Sequence, residues 1–207
     1  DSIDGVFKAV ESGSASYGMV PVENSTEGAV GRTLDLLLNS SLKICGEVML
    51  QVHQCLLSNE NDLSVIRKVY SHPQSFGQCQ DWLHAHLPHA ERITASSNAD
   101  AARLATGESF SAAIAGAQAA EHFKLKVLAQ NIEDDARNTT RFLVIGDQEV
   151  APSGRDKTSL VMTAANRPGA MHDLLTPFAQ NGVSMTKLES RPSGAGLWEY
   201  VFYVDIE

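Results

Sequence analysis

The sequence comprises 207 residues, 43% of them hydrophobic, with 16 Lys and Arg against 25 Asp and Glu and a formal charge of -9. That length supports one or two cored domains, and an acidic balance without a basic cluster argues against a nucleic-acid surface, so any anionic ligand must be held locally. No run approaches the ~18 apolar residues of a membrane span, the first residues are not a signal peptide, and the three widely spaced cysteines, Cys45, Cys55 and Cys79, favour neither a disulfide framework nor a zinc knuckle. A soluble, cytoplasmic chain with buried thiols is expected.

Val6, Phe7 and Val10 recur at helical spacing behind Ser2, a suitable N-cap, and Gly13 closes the element, which predicts a helix over about 3–12. Tyr17 to Val22 is a short apolar strand that ends in Glu23, Asn24, Ser25 and Thr26, and a helix follows over about 29–38 through Val30, Leu34, Leu37 and Leu38. A strand that ends in carboxylate, amide and hydroxyl before a helix is the edge at which open α/β proteins build sites. Asn24 and Ser25 also suit an ordinary turn or cap. From 42 to 52 the even positions Leu42, Ile44, Val48, Leu50 and Val52 are apolar, which predicts a long strand with one covered face, suited to leaving one lobe for another.

The next segment alternates strands and helices: 68–70 then a helix from Pro73, 92–94 then one from Asn98, 112–115 then one from Gly116, which predicts a parallel sheet with crossover helices. In the first helix Phe76, Cys79, Leu83 and Leu87 form the apolar stripe, and Gln74, Gln78 and Asp81 fall on the opposite side. Ser71 and His72 precede Pro73, so backbone N–H groups at that helix start are available to an anion. His72 reads either as a general acid or as a cap. His84, His86 and His89 do not share a face, and Pro88 interrupts them, against a metal site. Residues 126–132 are a second candidate crossing strand, returning the chain to the first lobe. Next comes Asn138-Thr139-Thr140-Arg141-Phe142, hydroxyls and an arginine at the mouth of the apolar strand Leu143-Val144-Ile145. Asn24 and Thr140 would then line one wall of a site between lobes, and Ser71 with Gln78 the other.

Beyond a linker at 148–156 the pattern changes. Strand 158–164 is followed by a helix expected to bury Met171, Leu174, Leu175 and Phe178 and to end at Asn181-Gly182, then by strand 183–191. After the turn from Pro192 to Gly196, Trp198, Tyr200, Phe202, Val204 and Ile206 alternate on one face of a last strand. This βαββ order lacks one helix and one strand of a ferredoxin-like module.

Four groups of residues carry a resemblance: Val20 to Ser25, Ser71-His72-Pro73-Gln74 with Gln78, Thr140-Arg141-Phe142, and Glu189-Ser190-Arg191-Pro192. They occur in the order seen in prephenate dehydratases with a C-terminal regulatory ACT domain, and the resemblance covers essentially the whole chain. Its style is similar to the dehydratase part of proteobacterial enzymes that also carry a chorismate mutase domain. The resemblance implies an α/β fold: a two-lobed, periplasmic-binding-protein-like dehydratase domain over 1–147, with a cleft between lobes and the second lobe at about 56–128. A linker at 148–156 and a ferredoxin-like (βαββαβ) ACT domain over 157–207 would follow. The family's N-terminal strand and loop would precede residue 1, and the last ACT helix and strand would follow Glu207.

The implied activity is decarboxylation and dehydration of prephenate to phenylpyruvate in L-phenylalanine biosynthesis, with L-phenylalanine as feedback effector and a homodimer or homotetramer as the assembly. Carried over residue by residue, Thr140 is the hydroxyl needed for activity, and Asn24, Ser71 and Gln78 orient the substrate. Glu23, Ser25, His72, Thr139 and Arg141 are expected around it, with Arg141 either binding a carboxylate or bracing the wall. In the ACT part, Asn166, Gly169, Ala170 and Met171 and the strand residues Glu189, Ser190 and Arg191 would hold the effector; Met171 stands where the family has leucine, a volume-conserving change. No metal or organic cofactor is implied. Arogenate dehydratase would keep nearly all these residues, and a non-catalytic two-lobed amino-acid sensor shares the architecture.

Overall fold

A computed structural model gives the structure, in which every residue except Asp1, Ala195 and Trp198 is described. Trp198, expected at the head of the last strand, and Ala195 in the turn before it therefore lie outside the described residues. The chain divides into two compact units, one made of Asp1–Val48 with Arg141–Glu207, the other of Met49–Thr140.

The first unit opens with α1 (Ile3–Glu11), capped as its sequence demands: Ser2 Oγ accepts the Gly5 N–H at 3.1 Å, and Phe7 and Val10 are its buried face. Then come β1 (Tyr17–Asn24), β2 (Gly28–Ala29), α2 (Gly31–Asn39) and β3 (Lys43–Gln51). Contrary to the expected covered face, β3 is half-buried only at Ile44 and Cys45, and Val48 and Leu50 are exposed. It is an edge strand of the four-stranded sheet β2-β1-β9-β3, so alternation marks its pleat without a layer to cover it.

The second unit holds β4 (Cys55–Ser58), β5 (Lys68–Ser71), α3 (Pro73–Gln78), α4 (Gln80–His86), β6 (Glu91–Thr94), α5 (Asn98–Thr106), β7 (Ser111–Ala115), α6 (Ala117–Phe123) and β8 (Lys126–Ala129). Its sheet runs β6-β5-β7-β4-β8. β5 is parallel to β6 and β7, as the alternation predicts, but β4 is antiparallel to both β7 and β8, so the sheet is mixed. Leu56, Leu57, Val69, Ile114 and Ile132 are wholly buried, each contributing about 1.5–3 kcal/mol relative to exposure. The return crossing is not the strand at 126–132: β8 pairs within this sheet, and the chain leaves the unit inside β9 (Thr139–Gly146).

The predicted single helix from Pro73 is two. It breaks at Cys79, whose φ/ψ of -124°/22° is non-helical. The cause is distant in sequence. The Asp134 carboxylate accepts the Asp81 N–H (3.0 Å) and the Trp82 N–H (3.2 Å), capping α4 from across the unit, and the Asp134 N–H donates to Gln78 O at 2.7 Å. Gln78 consequently ends a helix rather than standing on a solvent stripe. Two of the three histidines have separate partners: His86 stacks on Trp82, and a His89 ring nitrogen lies 3.0 Å from Ile66 O.

The first unit closes with β10 (Thr158–Thr163), α7 (Ala170–Gln180), β11 (Met185–Pro192) and β12 (Tyr200–Ile206), a sheet of order β10-β12-β11, antiparallel throughout. The α7 stripe Met171, Leu174, Leu175 and Phe178 is half-buried, not buried as expected. In β12 the predicted apolar face is the less covered one. Val201 and Tyr203, on the other face, join Phe7, Val20, Val22, Leu34, Leu143 and Ile145 in one core. The Tyr203 hydroxyl donates to Leu34 O at 2.8 Å, so this sheet packs directly on α2 and the sheet containing β1 and β9.

Candidate active site

The residues singled out from the sequence fall into both units. Glu23 and Asn24 end β1, Ser25 follows it, and Arg141 lies in the same unit; Ser71, His72, Gln78, Thr139 and Thr140 belong to the other.

In the second unit, β5 delivers Ser71 to the start of α3, where Pro73 takes the first helical position and His72 Nδ1 accepts the Gln74 N–H at 3.3 Å. His72 is thus a cap, one of its two sequence readings. Ser71 is buried, its hydroxyl donating to His72 O at 3.2 Å. Asn98 braces this corner, its Oδ1 accepting the His72 N–H (3.2 Å) and its Nδ2 donating to Ser75 Oγ (2.8 Å). Gln54, which the sequence reading missed, completes the network: its Nε2 donates to Gln78 Oε1 at 3.1 Å and to Ser75 Oγ at 3.4 Å. With Oε1 of Gln78 accepting from Gln54, the Gln78 amide nitrogen is turned the other way, as a donor. Gln54 is 4% exposed, and its own Oε1 is buried with no hydrogen-bond partner among the described residues.

Gln54 is fixed from behind by Glu133, also missed. The buried Glu133 carboxylate accepts the Gln54 backbone N–H at 2.8 Å and lies 2.8 Å from His53 Nδ1. The Ile132 N–H donates to Gln54 O at 3.0 Å. The one sequence signal for this was the acidic run Glu133-Asp134-Asp135 between two strand patterns, each member of which takes on a distant partner or turn.

Thr139 and Thr140 begin β9 and are half-buried, with Thr139 Oγ1 donating to Arg137 O at 3.0 Å. In the first unit the Asn24 side-chain oxygen accepts the Thr26 and Glu27 N–H groups at 3.0 and 3.2 Å, so it shapes the turn that follows β1. Ser25 is exposed.

Arg141 is 9% exposed and engaged by carboxylates of this chain. Its Nη1 donates to Asp205 Oδ2 at 2.5 Å and its Nε to Glu47 Oε2 at 2.7 Å, and Glu23 Oε2 is 3.8 Å away. Burial opposes its charge, but Asp205 and Glu47 outweigh burial and hold its pKa above the ordinary value. Burial likewise raises the Glu47 carboxyl, and the hydrogen bonds and charges of Arg141 and Lys157 reverse the sign, leaving it below its ordinary value. Of the two roles open to Arg141 in the sequence, bracing is the one these contacts fit. A cavity of about 1370 Å³ in this unit is lined by Ile44, Glu47, Pro152, Lys157, Leu160 and Asp205 among others, and of the candidate residues only Arg141 reaches it.

The expected effector residues lie on two elements of the last sheet module. Asn166 and Gly169 are exposed; Gly169 adopts φ +80°, which a side chain would strain, and its carbonyl accepts the Asp173 N–H at 3.0 Å as α7 begins with Ala170 and Met171. On β11, Ser190 is exposed, whereas Glu189 and Arg191 pair across the ladder with Tyr203 and Val201, on the face that packs on the rest of the unit. Arg191 makes a bidentate pair with Asp35 of α2, at 2.8 and 2.9 Å. Its guanidinium lies over Gly31, where a Cβ would meet Arg191 Cζ at 2.8 Å. Among the described residues, no group of three or more His, Cys, Asp or Glu is placed to hold a metal ion, and no helix is long and apolar enough to cross a membrane.

Comparison with known proteins gives matches along the whole chain. The sequence model of prephenate dehydratase matches residues 1–150, and that of the ACT domain residues 158–207. A bifunctional chorismate mutase/prephenate dehydratase of Stutzerimonas stutzeri is 52% identical over 99% of this chain and 56% of its own length. The prephenate dehydratase of Amycolatopsis methanolica is 40% identical over 100% of this chain and 69% of that protein. Among solved structures, a prephenate dehydratase from Arthrobacter aurescens in complex with L-Phe superposes with a TM-score of 0.90 at 34% identity, covering 100% of this chain and 70% of that one. A structure described as a quorum quenching acylase, GqqA, gives 0.88 at 30% identity, with 100% and 77% coverage. The chain spans little more than half the length of the bifunctional relatives it matches. With both family models in sequence order and relatives above 30% identity aligned from end to end, this chain belongs to the prephenate dehydratase family and carries the family's ACT domain.

Proposed function

We propose that the full-length protein is a prephenate dehydratase, converting prephenate to phenylpyruvate, and that L-phenylalanine bound to the ACT domain inhibits it. The observation that carries this reading is the 40% identity, over the whole chain, to a protein named prephenate dehydratase. The neighbour described as an acylase shows that the fold alone does not decide activity, so the side chains must fit the chemistry.

They do so without a strong base. The electron pair of the breaking C–CO2 bond moves into the ring as the ring hydroxyl leaves, so CO2 and water depart and the ring becomes aromatic. What is needed is a donor at the departing oxygen and polar groups for two carboxylates. A threonine hydroxyl is too weak an acid to be half-ionised near neutrality, so Thr140 acts as a hydrogen-bond donor or proton relay at the leaving oxygen. Gln78, whose Oε1 is held by Gln54, and the helix start at Ser71 and Pro73 bind anionic groups. Asn24 orients the substrate, with Glu23, Ser25, His72 and Thr139 around it. Neutral donors of this kind explain how a chain of charge -9 can hold a dianion.

The effector binds through Asn166, Gly169, Ala170, Met171, Glu189, Ser190 and Arg191, in a cytoplasmic homodimer or homotetramer; the Arthrobacter structure with L-Phe supports the effector's identity. The test is to incubate the full-length protein with prephenate and with arogenate separately, with and without L-phenylalanine. Turnover of prephenate that L-phenylalanine suppresses is expected, and Thr140→Ala should lower kcat by at least about 100-fold with little change in KM. Turnover of arogenate alone would reassign the substrate, and no turnover of either would favour a binding-only sensor.

A further inference from the structure

The ACT sheet presents one polar row to the rest of its unit. Ser159, Asp205 and Lys187 are directly opposite one another across β10, β12 and β11, and residues opposite in an antiparallel ladder share a face. Asp205 is 6% exposed; its Oδ1 accepts from Ser159 Oγ at 2.6 Å, and its Oδ2 from Arg141 Nη1 at 2.5 Å. Lys187 Nζ lies 3.2 Å from Glu23 Oε2, a charge pair without hydrogen-bond alignment. On the far side of Arg141, Glu47 takes Nε and also faces Lys157 Nζ at 3.3 Å.

The two dehydratase residues held by this row have informative positions. Arg141 follows Thr140 in β9, and Glu23 precedes Asn24 at the end of β1. We propose that Asp205 and Lys187 couple the ACT sheet to the strand ends carrying Thr140 and Asn24, so that effector binding is felt by those strand ends.

The physical reason lies in burial. A guanidinium out of water keeps its charge and must keep its partners, so a shift of β12 against β9 cannot be absorbed by sliding the pair apart. It either carries Arg141 with it or exchanges one set of partners for another. Packed ionic contacts of this kind have discrete arrangements, which is what a regulatory coupling requires. The coupling is reciprocal, so a substrate that fixes the strand ends also alters the affinity of the ACT domain for its effector.

The inference rests on the proposed dehydratase activity, and the experiment separates the two. In the full-length protein, Asp205→Asn keeps an acceptor beside Arg141 but removes the charge; Lys187→Met breaks the Glu23 contact and leaves both partners of Arg141 in place. Prephenate turnover, its inhibition by L-phenylalanine, and L-phenylalanine binding by calorimetry are measured for both and for the wild type. Each variant should keep effector-free kcat and effector affinity within about threefold of the wild type, while inhibition at saturating effector weakens by at least about fivefold. Should Asp205→Asn fail to fold, as melting curves would show, Lys187→Met decides. Folded variants with wild-type inhibition overturn the inference, as does inhibition lost together with effector binding, because the row would then serve the binding site and not the coupling. Wild-type turnover without inhibition also overturns the inference and leaves the dehydratase standing. No wild-type turnover removes both.

Discussion

Replacing Gln54 by methionine, a linear side chain of similar size, should damage catalysis while leaving the fold almost untouched. The backbone of Gln54 stays anchored, since its N–H donates to Glu133 and its carbonyl accepts from Ile132 whatever the side chain. The substitution removes the bond to Gln78 at 3.1 Å and a weaker one to Ser75 at 3.4 Å, a loss of about 1–2 kcal/mol. It also removes a buried Oε1 that lacks a partner among the described residues, returning about 1–3 kcal/mol. The two effects nearly cancel, so the melting temperature should move by no more than about 4 °C. Gln78, however, loses the acceptor contact that sets its amide. If that amide donates to a substrate carboxylate, losing its orientation costs about 1.5–3 kcal/mol, or roughly 10- to 150-fold in kcat/KM. Steady-state kinetics of the full-length protein with prephenate as the proposed substrate, with a thermal melt alongside, measure both. Unchanged kcat/KM in a stably folded Gln54→Met protein would refute the idea that Gln54 sets Gln78.

Two other outcomes follow from contacts in the first unit. The Glu47 carboxyl lies below its ordinary value of 4.5 when folded, so its contribution to stability is complete above that value and is lost as pH falls through the lower folded one. Midpoints of chemical denaturation taken on descending pH should therefore fall more steeply for the wild type than for Glu47→Gln, and parallel curves would contradict the assignment. At Gly31, alanine would push the Arg191 guanidinium off Asp35. Asp35→Asn should cost about 0.5–1 kcal/mol in the wild type and nothing measurable in a Gly31→Ala background; an equal cost in both would show that the pair survives.

The features legible in the sequence were those whose causes are local. Ser2 caps α1 through a side chain three residues from the N–H group it accepts, and Pro73 marks a helix start by its own ring. Asn24, Ser71 and Thr140 stood out because each ends or begins a strand, whereas Gln78 ends α3 and stood out only through the family resemblance. What stayed hidden depends on partners far along the chain. The break at Cys79 needs Asp134, the setting of Gln78 needs Gln54, and the role of Arg141 needs Asp205, none of which any local period encodes. The buried face of β12 was misjudged for the same reason, since Val201 and Tyr203 are covered by Phe7, Leu34 and Ile145, not by a neighbour in sequence.

The capping of α4 by Asp134 also bears on how the second unit is made. Cap and helix start are 53 residues apart, so during synthesis the first turn of α4 emerges long before the carboxylate that ties its free N–H groups. A helix as short as Gln80–His86 is unstable in isolation, so α4 should acquire lasting order only once the segment after Ile132 has closed over it. Hydrogen exchange at Asp81 and Trp82 would then report completion of the whole unit, with Asp134→Ala releasing those two amides selectively while those of β5 and β7 remain protected.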